Sequence, residues 1–260
     1  GELWYDSTNK DFKYQYPNVT AAGSWRTVSS ANTARGSGTS SGTGSSSIVY
    51  GGFSNPPATR YANAESWNGT NWTEVGDLNT ARNASGGAGV SNTSALAFGG
   101  MVPPNTGDTE LWAGSSWTEV NNLNTARSTL AGAGIATAAL AFGGDANTAN
   151  TESWNGTNWT EVNNLNTARN GGAYGSTGSY TDCLCIGGNS GSVQAIVEQW
   201  NGTNWTEVAD LSAAKEELMG SGTTSSAIAA FGRNPSTAYK TSAEEWTGAG
   251  AAVGAWTTGG

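Results

Sequence analysis

The chain has 260 residues, of which 12% are charged, 38 are glycine and 12 are tryptophan, and its formal net charge is −9. So little charge and so much glycine argue against a mainly helical fold, while regularly placed large aromatics set the chain apart from linkers that cannot offset the entropy of ordering. Its acidity opposes a phosphate backbone or anionic lipid, and no apolar run approaches the length of a bilayer span, so neither nucleic-acid binding nor membrane insertion is expected.

In chain order, Glu2-Leu3-Trp4 and Ser24-Trp25-Arg26-Thr27-Val28 read as two short strands separated by an insertion bearing Phe12, Tyr14 and Tyr16. A unit of roughly 45 residues then recurs, its five copies starting at Arg35, Arg82, Arg127, Arg169 and Lys215. Each unit predicts four strands. The first, such as Gly86 to Val90, is built of small residues, as an element crowded around an axis must be. The second, Ser94 to Phe98, closes on Gly99-Gly100, and YGG at 50–52, FGG at 142–144 and IGG at 186–188 repeat that ending. The third ends at Trp67 or its equivalents. There Asn68-Gly69-Thr70-Asn71 reverses the chain, a strong hairpin signal, into the fourth strand, Trp72-Thr73-Glu74-Val75. All 12 tryptophans fall into pairs: Trp4/Trp25, Trp67/Trp72, Trp112/Trp117, Trp154/Trp159, Trp200/Trp205 and Trp246/Trp256. With four residues in the turn, Trp67 and Trp72 are expected to face each other across the ladder.

Four short strands repeated in this way, with no helical periodicity between them, are the pattern of a propeller blade. The order Ala-Arg, apolar strand ending in Gly-Gly, aromatic, polar turn and Trp-Thr-Glu-Val is similar to the kelch motif and covers about residues 30–260. The resemblance implies an all-β, kelch-type β-propeller of four-stranded blades over 29–260, preceded at 1–28 by a β-hairpin equivalent to the outer half of a blade. Five complete repeats favour five blades. Six blades with one incomplete, or a hairpin donated to a neighbouring chain, stay open as ways of protecting the edges. The phrases ESWNGTNWTEVNNLNTAR and GELWYDSTNKDFKY also resemble kelch-repeat proteins of tailed phages, particularly marine ones.

Histidine is absent, which removes Ser-His-Asp and Cys-His nucleophiles and His-ligated metals, and with them the copper chemistry of kelch-fold oxidases. The glutamates beside the tryptophans recur in every unit, as blade-building positions do, so a paired-carboxylate hydrolase is a distant third reading. No cofactor is expected; Asp108 and Asp145 are the first oxygen ligands to test should a metal bind. Cys183 and Cys185 align with Ala95 and Ala97, and again with Ala139 and Ala141, and so read as small buried side chains rather than a disulfide.

Arg35, Arg82, Arg127, Arg169 and Lys215 are expected to gather near one mouth of the central channel, either as an anion site or paired with the repeat glutamates or with backbone carbonyls. Alternating strand direction places the connections between second and third strands on that same face, and these vary in length and chemistry whereas the Asn-Gly turns do not. Loops on a rigid scaffold are where binding resides. Phe53, Arg60, Tyr61, Met101, Arg233, Tyr239 and Lys240 are the large or cationic residues there, and form the candidate ligand surface. The phage resemblance implies a non-enzymatic virion-surface, tail-fibre-like protein, virion-borne or extracellular, that contacts a host surface glycan or protein and other virion proteins or copies of itself. The alternative is a bacterial secreted or cell-surface adhesion or assembly protein.

Overall fold

A computed structural model describes residues 2–6, 11–15, 27–170, 177–248 and 256–258. Each repeat folds into one antiparallel four-stranded sheet, and five such sheets form a five-bladed β-propeller. The first blade joins Thr39–Thr43, Ser46–Tyr50, Ala64–Trp67 and Trp72–Val75. The second joins Gly86–Ser91, Ser94–Phe98, Thr109–Trp112 and Trp117–Val120. The third joins Ala131–Ile135, Ala138–Phe142, Thr151–Trp154 and Trp159–Val162. The fourth, Thr177–Ser179, Asp182–Asn189, Val193–Trp200 and Trp205–Glu207, has longer middle strands. Its loop is short enough for them to continue past a register shift at Ile186/Gly188. The fifth joins Met219–Thr223, Ser226–Ala230, Ala243–Trp246 and Trp256–Thr258.

The expected tryptophan pairs of the five blades form the ends of the outer hairpins, whereas Trp4 stands opposite Lys13 and its expected partner Trp25 lies outside the described residues. Trp67 opposes Trp72, Trp112 opposes Trp117, Trp154 opposes Trp159 and Trp200 opposes Trp205, with ring centroids 5.3, 5.5, 5.4 and 5.4 Å apart. The two members do different jobs. The third-strand indole donates to a carbonyl of its own blade's inner turn: Trp67 to Gly44, Trp112 to Asn92, Trp154 to Ala136, Trp200 to Tyr180 and Trp246 to Thr224. The fourth-strand indole reaches the preceding blade, Trp159 to Thr109 and Trp205 to Thr151. Trp117 Nε1 is buried without a partner, because the equivalent residue on the first blade is Ala64, which has no hydroxyl to accept.

At the centre, first strands of adjacent blades approach so closely that only hydrogen fits at some positions. A Cβ on Gly132 would lie 2.5 Å from the Phe98 ring and 2.6 Å from the Gly87 carbonyl, and one on Gly87 would lie 2.3 Å from the Tyr50 hydroxyl. The second-strand aromatic thus occupies the space the small first-strand residue leaves. In the fifth blade the sizes are exchanged, with Met219 opposite Ala230 where Gly86 opposes Phe98.

Glu2–Asp6 is a strand, as the sequence predicts, but its partner is Asp11–Gln15, within the insertion. The predicted partner lies at 24–28, where residues 24–26 are outside the described residues and 27–28 are not in a strand. The insertion competes because Phe12 and Tyr14 give it the alternating aromatic pattern of a strand. Gly132→Ala should destabilise the fold by about 1–3 kcal/mol through overpacking, whereas Gly44→Ala, with nothing within 4 Å of the added carbon, should stay within about 0.5 kcal/mol of the parent. Thermal melts of the two variants check this.

Candidate functional site

The repeat cations stand at the junction where one blade ends and the next begins. Each faces a glutamate on the third strand of the blade it introduces: Arg35 with Glu65 at 2.8 Å, Lys215 with Glu244 at 3.0 Å, and Arg82 with Glu110, Arg127 with Glu152 and Arg169 with Glu198. Those glutamates are fully buried, and so are Arg82, Arg127, Arg169 and Lys215. The second carboxylate oxygen is also used. Glu110 accepts from the backbone and side-chain nitrogens of Asn79, Glu152 from those of Asn124, and Glu198 from those of Asn166. The arrangement therefore clamps the Asn-Thr-Ala-Arg linker, and the cations are not an open ring at the channel mouth. A buried ion is stable only when paired and hydrogen-bonded, which is why the guanidinium turns inward to its carboxylate. Burial pushes the Glu65 carboxyl up, but donors from Asn32, Arg35 and Thr33 overcome this and hold it below its ordinary value. Glu244 is held down in the same way, against burial, by Ser212 and Lys215.

Cys183 and Cys185 are buried and free, opposite Trp200 and Glu198 as Ala95 and Ala97 are opposite Trp112 and Glu110. Burial pushes both thiols above their ordinary value. Asp108 accepts from Asn122 through one oxygen, and Asp145 from Asn105 and the Ser128 amide through both.

The variable connections and the interblade linkers share one face, as the alternation of strands predicts. Phe53 bridges to Gly36, Met101 to Asn83, Asn189 to Asn170 and Arg233 to Glu216. The first connection carries a small ladder of its own, Phe53–Ser54 with Thr59–Arg60. There the Arg60 guanidinium carbon lies 5.5 Å from the Phe53 ring centroid, a cation–π distance, and its Nε donates to Asn83 Oδ1 at 3.1 Å. The Tyr61 hydroxyl pairs with that of Ser54 at 3.0 Å. Met101 is half-buried and its backbone is paired with Asn83 and Asn105. Arg233 is held by Glu216 at 3.1 Å and Glu217 at 2.9 Å. Tyr239 and Lys240 remain projecting, Tyr239 at 76% exposure.

Tyr239 borders a cavity of about 490 Å³ together with Ser37, Ala84, Ser85, Glu217 and Met219. The first strands enclose a separate space of about 470 Å³ lined by small and hydroxylated residues such as Thr39, Ser41, Gly87 and Ser221. The mouth has a feature that local sequence hides. Ser37, Ala84, Thr129 and Glu217 all hold φ between 51° and 55°, which is uncommon without glycine. The Ala84 amide donates to Ser37 and the Thr129 amide to Ala84, so the backbone passes hydrogen bonds from blade to blade across the first three blades. Only their shared place, two residues after each repeat cation, marks them in the sequence.

Of the predicted surface, the structure brings Phe53, Arg60, Tyr61 and Met101 together around Asn83, and Arg233, Tyr239 and Lys240 together on the fifth blade. The protein these features define is a five-bladed β-propeller with a polar, loop-decorated mouth. No protein-family model matches the sequence, and no curated protein matches it.

Glu65 and Glu244 give a pH dependence with a definite sign. Their carboxyls lie lower folded than the ordinary value of 4.5, so their contribution is fully present above that value and is lost as pH falls through the lowered ones. The melting temperature should hold down to about pH 5 and then drop, and the drop should shrink in Glu65→Gln. The thiols should resist a maleimide at neutral pH in the native protein and react once it is denatured.

Proposed function

We propose that this protein is a non-enzymatic, kelch-type binding scaffold on a virion surface, tail-fibre-like, that contacts a host cell-surface glycan or protein through the loops at the mouth. The observation that carries the reading is Tyr239, a large aromatic left 76% exposed at the rim of the mouth cavity, beside the Glu217–Arg233 pair and exposed Lys240. Exposed tyrosines and cations of this kind provide most of the energy at recognition surfaces. A phenol ring can stack on the apolar face of a sugar while the neighbouring Glu217 carboxylate and Lys240 ammonium bond its hydroxyls. An acidic chain meets an anionic cell envelope best where a cation such as Lys240 stands exposed. The phage-like repeat phrases support the virion assignment.

Arg60, Tyr61 and Arg233 are engaged within the loops, so Tyr239 and Lys240 are the residues to change. Tyr239→Ala with Lys240→Ala should lower attachment to host cells, or signal on a glycan array, by about tenfold or more with an unchanged melt. Thr70→Ala and Thr157→Ala, in the uniform turns of the opposite face, should bind as the parent does. Loss of attachment in the turn variants with the loop variants unaffected would overturn the reading.

A further inference from the structure

Four of the seams between blades are built to one plan. The second-strand Ile or Leu of one blade shares a core with the third-strand tryptophan of the next: Ile48 with Trp112, Leu96 with Trp154, Leu140 with Trp200 and Leu184 with Trp246. A backbone latch accompanies each contact, the amides of Gly52, Gly100, Gly144 and Gly188 donating to the carbonyls of Arg82, Arg127, Arg169 and Lys215.

Between the fifth and first blades, among the described residues, neither feature is present. Ile228, the residue equivalent to Leu96, is 47% exposed, where Ile48, Leu96 and Leu140 are at 0%. Met219 and Phe231 on the same blade are exposed too. Across the seam Trp72 is only half-buried, while its equivalents Trp117, Trp159 and Trp205 are buried. Cavities of about 520 Å³ against Ile228 and of about 330 Å³ against Trp72 lie on the two flanks.

The linker into the first blade shows what belongs there. The Ser29 hydroxyl donates to the Thr70 carbonyl at 3.1 Å, as the side chains of Asn121 and Asn163 donate to the carbonyls of Thr157 and Thr203. Asn32 sits in the Glu65 clamp through both its nitrogens, as Asn79 sits in that of Glu110. In every other case this linker leaves the fourth strand of a preceding blade. Residues 28–35 therefore run as the exit from a blade on the seam side of the first one. The chain just upstream holds Glu2-Leu3-Trp4, identical to Glu110-Leu111-Trp112 in a third strand. That strand forms a hairpin with Asp11–Gln15 whose members pair only with each other among the described residues, leaving edges that need cover.

We propose that the hairpin Glu2–Asp6/Asp11–Gln15 docks in the seam of its own chain, between the fifth and first blades, and covers Ile228. Attachment through a short linker keeps the hairpin at high effective concentration beside the seam, which favours its own chain over a second copy. The seam adjoins the mouth cavity, which Met219 and Tyr239 of the fifth blade line together with Ser37 of the first, but the labelling below reads docking at Ile228 without any host surface, so its failure and that of the proposed function are distinguishable.

Thiol labelling of Ile228→Cys in the full chain tests it, with Cys183 and Cys185 buried and silent and Val90→Cys, at a 57% exposed position, as the open reference. The expected result is labelling at least about tenfold slower than the reference at every protein concentration, rising to the reference rate when Trp4→Ala is added. Labelling as fast as the reference without Trp4→Ala would overturn the proposal. Protection that survives Trp4→Ala would mean direct closure of the fifth blade on the first, and protection that grows with concentration would mean a second copy. Either outcome would also overturn it.

Discussion

A buried carboxylate organises each blade junction. In isolation, a glutamate held at zero exposure is among the most costly groups a fold can bury. Here its two oxygens are the receiving point for a guanidinium or ammonium, and in most junctions for both nitrogens of an asparagine as well. Because those donors all come from the linker between blades, satisfying the charge fixes the path of the chain into the next blade. Position in the ring is thereby set by hydrogen-bond geometry, not by apolar burial alone. The sharp departure of the chain after each Gly-Gly pair belongs to the same junction: a Cβ on Gly99 would lie 2.6 Å from the Arg127 carbonyl, beside the latch that the next glycine makes.

Apolar contacts act on the frame the clamp sets. The aromatic at the end of the second strand stands over the next blade's fourth-strand tryptophan, with centroids 4.8 Å apart for Tyr50 and Trp117 and 4.9 Å for both Phe98 and Trp159 and Phe142 and Trp205. These steeply inclined contacts join separate blades, so among the described residues the cores of the propeller lie between sheets. One consequence is that a blade at an open seam exposes residues that are core elsewhere, as Ile228 does. Another is that, although Ala62, Ala149 and Ala195 of the mouth connections pack against these cores, Tyr239 and Lys240 project away from them, which leaves those two available for contact with a partner.

Much of this was legible in the sequence, and the limits have physical causes. The recurrence of Trp-Asn-Gly-Thr-Asn-Trp fixes a turn whose residues are specific to its geometry, so the register of Trp154 on Trp159 follows directly. Gly86 and Gly87 were readable as crowded because a run of small residues has few other uses in a strand. The repeat cations were harder. Arg82 and Glu110 lie far apart in the chain, and the sequence could offer pairing with the repeat glutamates only beside an open anion site at the mouth. Nothing local distinguishes Glu110, which is buried and clamped, from Glu119, which is solvent-exposed one strand later. The positive φ of Ala84 and Thr129 was invisible for a related reason, since neither residue prefers that conformation and only the packing of neighbouring blades imposes it. The N-terminal strand Glu2–Asp6 is legible from the likeness of Glu2-Leu3-Trp4 to a third strand, but its pairing with Asp11–Gln15 rests on the alternating aromatics of the insertion, which that likeness masks.

The claim that the buried clamp specifies the blade junction is tested most directly by a double-mutant cycle on Arg127 and Glu152, using Arg127→Met, Glu152→Gln and the two combined. Each single change leaves a buried polar or charged partner unsatisfied and should cost about 3–5 kcal/mol. The double variant should cost less than the sum of the two by about 1–3 kcal/mol. Strictly additive losses, or single variants that melt like the parent, would contradict the account and leave the tryptophan seams as the determinant of blade order.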